Sequence, residues 1–149
     1  MEPDDEHLAD SLKLAYEAGM EVLFVPKAEK AEHPNSVKML LRKGTRKLSV
    51  TGISIGGGNI QISELNGFKI SLSMGTPTLI IVHRDVPGMI AKVTNILSET
   101  NTNIGTMTVT RESKGENAIM IIEVDDPQVD DTVKKLNQLP NIDSVNYFD

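Results

Sequence analysis

The sequence predicts an α+β protein: a C-terminal βαββαβ unit preceded by a partial α+β module built on an antiparallel meander. Three observations carry this reading. Between Val37 and Leu72, apolar residues alternate with polar ones and are interrupted by glycine turns. From Thr78 onward, apolar runs and helical spacing follow in the order strand, helix, strand, strand, helix, strand. Between the two lies Ser73-Met74-Gly75-Thr76-Pro77, a run rich in small residues that marks a boundary and gives modules at 1–75 and 76–149.

The first module opens with Asp4, Asp5 and Glu6, acidic residues that suit the positive end of a helix. Leu8, Leu12 and Ala15 form one stripe of that helix, and Gly19 caps its C-terminus. Val22-Leu23-Phe24-Val25 reads as a short buried strand stopped by Pro26, and Lys27 to Glu32 as a charged connector. Val37, Met39 and Leu41 then begin the meander. Lys43-Gly44-Thr45-Arg46 turns the chain into Leu48, Val50, Ile53 and Ile55, with Gly52 a candidate bulge. Gly56-Gly57-Gly58 and Asn66-Gly67 supply the next two turns, into Ile60 and Ile62 and then Phe68, Ile70 and Leu72. One helix and a short connector cover such a sheet poorly, so something else should pack on it. Gly56-Gly57-Gly58 is not a phosphate loop, because it joins strands and no Gly-Lys-Ser/Thr follows.

In the second module the expected order is strand Thr78–His83, helix Pro87–Glu99, strand Asn103–Arg111, strand Ala118–Val124, helix Pro127–Leu139 and strand Ile142–Phe148. The first helix buries Ile90, Val93 and Leu97, flanked by Met89 and Ile96; the second buries Val129, Val133 and Leu136. Ser113 to Asn117 closes the central hairpin, and Pro140 ends the second helix. This is a ferredoxin-like split βαβ, with two helices on one face of a four-stranded antiparallel sheet.

Composition narrows the function. With 15 basic against 21 acidic residues, a net charge of −6 and no Trp, the chain offers neither a cationic face nor aromatic platforms for nucleic acid. Zero Cys excludes disulfides, thiol nucleophiles and cysteine-held iron–sulfur clusters on this chain. The polar N-terminus is no signal peptide, and no apolar run is long enough to span a bilayer, so a cytoplasmic protein is expected. His7 and His33 are too poorly accompanied to suggest a metal site.

The polar residues His83, Asp85, Asn101 and Asn103 fall where two loops are expected to converge at one end of the sheet, a setting for a small zwitterion. Pro87 pre-sets the first helical turn, and Gly88 removes a side chain that would block a ligand. The N–H groups of Gly88, Met89 and Ile90 then face outward, suited to a carboxylate. Each residue also has a plainer role: Pro-Gly as a tight turn, Asp85 as a helix cap, His83 as a surface strand end, Asn103 as a turn stabiliser. No nucleophile–base pair can be assembled, so the chain alone is expected to be non-catalytic.

The V-H-R-D-V-P-G-M-I and N-T-N-I-G segments resemble ACT domains, the amino-acid-sensing modules of metabolic enzymes, from Pro77 onward. Upstream, H-P-N-S-V-K-M-L-L and V-T-G-I-S-I-G-G-G-N-I-Q-I resemble the later part of an allosteric substrate-binding domain. In this order, with the opening P-D-D-E-H-L-A-D-S-L-K-L-A-Y-E-A-G, they resemble the C-terminal portion of the beta subunits of bacterial iron–sulfur-dependent L-serine dehydratases. That family carries a G-P-S-S-S-H-T-A-G-type motif further upstream, which this sequence lacks. The resemblance implies a regulatory piece that binds L-serine or a similar amino acid through His83, Asp85, Gly88, Met89 and Asn103, between two ACT units of a homodimer. It implies an alpha subunit as catalytic partner, bearing the 4Fe-4S cluster. Asp85 departs from the Asn of serine-sensing relatives and better suits the ligand's ammonium or hydroxyl. Alternatives are a dimerisation or docking module that senses nothing, and the regulatory end of a phosphoglycerate dehydrogenase, though no G-x-G-x-x-G occurs here.

Overall fold

The computed structural model describes residues 5–27, 33–73, 75–125 and 128–148. Contacts divide the chain into two units, 1–31 and 32–149, so the boundary expected near residue 75 separates two sheets inside one unit. In the first unit a 3-10 turn, Glu6–Asp10, leads into helix α1, Ser11–Glu17. Asp5 caps the turn by accepting from the His7 backbone N–H at 2.8 Å. Gly19, at φ +76°, takes the left-handed position after the helix, as its C-terminal glycine should. Val22–Val25 is not a strand; it is irregular chain with its apolar side chains exposed, Leu23 at 82%. A strand needs a paired neighbour, and four β-prone residues alone do not supply one.

The second unit begins with the meander: β1 Ser36–Lys43, β2 Arg46–Gly56, β3 Asn59–Leu65 and β4 Phe68–Ser73, paired in that order and antiparallel. Gly57 and Gly58, both at positive φ, make the β2–β3 hairpin turn. Gly52 sits at a register shift, the bulge its position suggested. Next come β5 Thr78–Arg84, α2 Met89–Glu99, β6 Ile104–Arg111, β7 Asn117–Val124, α3 Asp130–Leu136 and β8 Ile142–Phe148. The second sheet has the order β6-β7-β5-β8, all antiparallel.

Two cores flank this sheet. On one face Leu79, Ile81, Met120 and Ile122 pack against Met89, Val93, Ile96 and Leu97 of α2 and Val129 and Leu136 near α3. Each such side chain contributes about 1.5–3 kcal/mol on burial. The buried stripe of α2 is therefore Met89-Val93-Ile96-Leu97, and Ile90, expected inside, is 51% exposed. Val93 and Leu97 are buried as expected, and the stripe is completed by Met89 and Ile96 on the side of Val93 away from Ile90. Helix α3 is also shorter than expected, because Val129 is its cap; Pro127 lies outside the described residues. The Thr100, Thr102 and Thr132 hydroxyls interlink at 2.8–3.1 Å and tie the end of α2 to α3. On the opposite face Ile80, Ile119 and Ile121 pack against Phe68 and Leu72 of β4, so the meander covers the back of the second sheet.

Candidate functional site

The chain leaves β5 through a chain of local hydrogen bonds that fixes the loop before α2. The Asp85 N–H donates to the Glu116 carbonyl at 2.8 Å, and the Val86 N–H to the Arg84 carbonyl at 2.9 Å. Val86–Met89 is a turn with Pro87 and Gly88 at its centre, closed by the Met89 N–H to the Val86 carbonyl at 3.4 Å. Gly88 has φ +85° and ψ −1°, the third-residue geometry of a type II turn, which disfavours any side chain. Gly88 is the N-cap of α2 and supplies no side-chain hydrogen bond. The N–H groups of Ile90 and Ala91, in the first turn, thus remain available to solvent or an anion. A Cβ built on Gly88 would meet nothing within 4 Å, so the approach is open. Met89 plays a different part from the one expected: its N–H closes the turn and its side chain fills the core.

His83 is not a surface residue. It is 2% exposed and shares by alternation the helix-covered face of Leu79 and Ile81. Its Nδ1 lies 2.7 Å from the Arg84 carbonyl oxygen, which requires the proton on Nδ1. Nε2 is then buried with no hydrogen-bond partner. Such a group costs about 1–3 kcal/mol unless something meets it.

Asp85 does not cap the helix. Its Oδ2 accepts from the Gly115 N–H and from Arg111, each at 3.1 Å, which fastens the loop to the β6–β7 hairpin. The Gly115 N–H first, then the Arg111 guanidinium, hold its carboxyl below the usual aspartate range. Arg111 is the residue that the sequence does not disclose. It lies 26 positions from Asp85 and meets it only because β6 and β5 flank β7.

Asn103 lies elsewhere. β7 pairs its Asn117 end with Arg84 and its Val124 end with Ile104, so the Gly88 loop and the Asn103 corner occupy opposite ends of the sheet. Eight residues of strand separate them by roughly 25 Å. The expected convergence of His83 and Asp85 with Asn101 and Asn103 therefore does not occur within one chain, because a helix running back antiparallel to β5 delivers its C-terminus to the far end. There Asn103 Nδ2 donates to Asp125 at 2.6 Å, and the turn role falls to Asn101, at φ +55°. His7 and His33 serve local structure: His7 Nδ1 is 2.8 Å from Asp5, and His33 Nδ1 accepts from the Asn35 N–H at 3.2 Å. No group of three or more metal-ligating side chains occurs among the described residues.

The ACT domain family matches residues 78–141. The chain is 40% identical over 138 residues to the probable L-serine dehydratase beta chain of Bacillus subtilis, covering 93% of this chain and 63% of that one. It is 31% identical to the L-serine dehydratase beta chain of Peptoniphilus asaccharolyticus, covering 85% of this chain and 58% of the relative. The D-3-phosphoglycerate dehydrogenase of Bacillus subtilis is 33% identical over 78% of this chain, but only 22% of the dehydrogenase is covered. The chain thus spans about three fifths of the length of the dehydratase beta chains it matches. Residues 78–141 form an ACT domain, and the chain around them is similar to, and consistent with, the C-terminal portion of an L-serine dehydratase beta chain.

Proposed function

We propose that this chain is the regulatory portion of an L-serine dehydratase, which converts L-serine to pyruvate and ammonia, and that it binds L-serine or a similar amino acid between two ACT domains. The observation that carries the ligand site is the buried, partnerless Nε2 of His83, at the end of the strand from which the chain turns into an uncapped helix start that is open at Gly88. The free N–H groups of α2 would take the ligand's carboxylate. His83 Nε2 would accept from the ammonium or hydroxyl, and the ionised Asp85 would balance the ammonium.

The site is incomplete without a second copy. β6 is an edge strand, and from Ile104 to Thr110 it carries no charge to blunt that edge. Two copies pairing β6 to β6 antiparallel, centred on Met107, set Asn103 of one across from Arg111 of the other, and Arg111 holds Asp85. The twofold thereby brings together the two ends that one chain keeps apart. The opposite face of the sheet is occupied by the meander, which supports side-by-side over face-to-face pairing. The catalytic chemistry, and the iron–sulfur cluster it needs, would reside on an alpha subunit, in keeping with zero Cys here.

Calorimetry with L-serine on the dimeric chain tests the proposal. Millimolar affinity amounts to about −4 kcal/mol, within reach of one amino acid held by this set of groups. A folded dimer that gives no heat with millimolar L-serine would overturn it.

A further inference from the structure

The flank of α2 that turns toward β6 carries residues that the core does not use. Ile90, Thr94 and Ser98 recur at every fourth position and so share that flank. Near its C-terminal end, Thr94, Leu97 and Ser98 of the helix and Asn101, Asn103 and Ile104 of the turn into β6 line a cavity of ≈ 340 Å³. That volume lies in the range of small-ligand pockets. At its other end the flank presents Ile90, left 51% exposed in a helix whose other large apolar residues are buried.

The cavity is lined by hydroxyls and amides and by no charged side chain. The Thr94 hydroxyl donates to the Ile90 and Ala91 carbonyls, at 3.0 and 3.2 Å, which leaves its oxygen able to accept. Asn103 commits Nδ2 to Asp125 and keeps Oδ1 as an acceptor. The Ser98 and Asn101 side chains make no hydrogen bond among the described residues, and each can both donate and accept. Such a set fits a group that itself donates and accepts, a hydroxyl. It offers no cation to hold an acidic side chain.

Asn103 lines this cavity, and Arg111 holds Asp85 at the Gly88 loop. The twofold about Met107 that sets Asn103 of one copy across from Arg111 of the other therefore sets the cavity level with the Gly88 turn and Ile90 of that other copy. We infer that the cavity receives the side chain of the bound amino acid, and that Ser98 and Asn101 of one copy bind its hydroxyl while its carboxylate and ammonium lie at the α2 start and Asp85 of the other. Thr94 and Asn103 accept from the same hydroxyl, and Ile90 of the other copy supplies an apolar wall that excludes water. The inference rests on the amino-acid reading above and names the residues that separate serine from an aliphatic amino acid of the same size.

The test is calorimetry of the dimeric chain with L-serine and with L-2-aminobutyrate, which carries a methyl group where serine carries its hydroxyl. Wild type should bind L-serine at least about tenfold more tightly. Ser98→Ala/Asn101→Gly should bring the two affinities within about threefold of each other by weakening L-serine alone. Glycine keeps the positive φ that Asn101 adopts, +55°, so the turn is retained. Ser98→Ala alone, at an exposed helix position, should move the ratio in the same direction. Co-refolding the double variant with His83→Leu should restore serine-preferring sites, because the mixed dimer holds one pocket with both halves intact. A double variant that keeps the wild-type preference, or that loses both ligands in equal proportion, would overturn the inference and leave the amino-acid reading standing. So would the absence of recovery in the mixed dimer, or a wild type that binds both ligands equally. A wild type that binds neither would overturn both.

Discussion

Replacing His83 by leucine separates a ligand-binding histidine from a structural one. The substitution removes the Nδ1–H bond to the Arg84 carbonyl, made at 2.7 Å, a loss of about 0.5–1.5 kcal/mol. It also removes the buried Nε2 that has no partner, a relief of about 1–3 kcal/mol. Leucine fits the position in size and polarity, since its cross-strand neighbours are Ala118 and Ile142. The two terms together predict a net change between about 0.5 kcal/mol of destabilisation and about 2.5 kcal/mol of stabilisation. Binding should move the other way. A hydrogen bond to a charged ligand group contributes about 1.5–3 kcal/mol, so L-serine affinity should fall by roughly 10- to 150-fold. Urea denaturation and calorimetry on one preparation give both quantities. A variant that is more than about 1 kcal/mol less stable than wild type would show that Nε2 is satisfied in the native protein. A variant that binds L-serine as tightly as wild type would remove His83 from the site.

Asn103→Ala should likewise abolish L-serine binding with the fold intact. Mixing it with His83→Leu should restore roughly a quarter of the sites, because half of randomly paired dimers are mixed and each then holds one intact pocket; no recovery on mixing would place the two residues in separate sites or in none. Asp85 should titrate below the ordinary aspartate range in a carbon-detected NMR experiment, because Gly115 and Arg111 hold the ionised form. Its stabilising contribution is then present above the pKa of the unfolded chain and is lost as pH falls through the depressed folded value. Arg111→Gln should raise that midpoint, and an unchanged midpoint would contradict the pairing. Thr132→Val should cost about 1–2 kcal/mol in chemical denaturation, since it removes the hydroxyl that bonds both Thr100 and Thr102; a neutral result would mean the three hydroxyls do not act together.

Most of the element order was legible because it rests on periodicity and on turn residues, both of which are local. The glycine turns of the meander and the βαββαβ order fall where the residues put them. Val22–Val25 misled because β-propensity describes a surface that fits a sheet and is silent on whether a sheet is there to receive it. Ile90 misled because it and Met89 lie on either side of Val93 on the helix surface, and the core takes the Met89 side. The site was legible in its residue types more than in its geometry. His83 lies deep because the two faces of β5 are both covered, and Asp85 is taken by an arginine two strands away. The separation of Asn103 from the Gly88 loop follows from strand direction alone, a topological fact that motif spacing does not carry.

One further property of the sequence becomes intelligible once the sheets are seen together. The central strands β5 and β7 read Leu79-Ile80-Ile81-Val82 and Ala118-Ile119-Met120-Ile121-Ile122, continuous apolar runs without the alternation of a sheet that has one wet face. Such runs require a cover on both sides, and two helices supply only one. The meander carries the converse excess, an apolar face that needs a cover. The two excesses meet at Phe68 and Leu72 on Ile80, Ile119 and Ile121, and each explains the other. The same reasoning applies one layer further out. Val37, Met39, Leu41 and Leu48 continue that apolar face past the edge of the ACT sheet, with a cationic hairpin beside them. Isolated exposed apolar residues need no explanation, but a contiguous set on the rungs that are buried at their other end does. The residues that close the first interface therefore lie on the same rungs as the exposed set, and one apolar face runs through both.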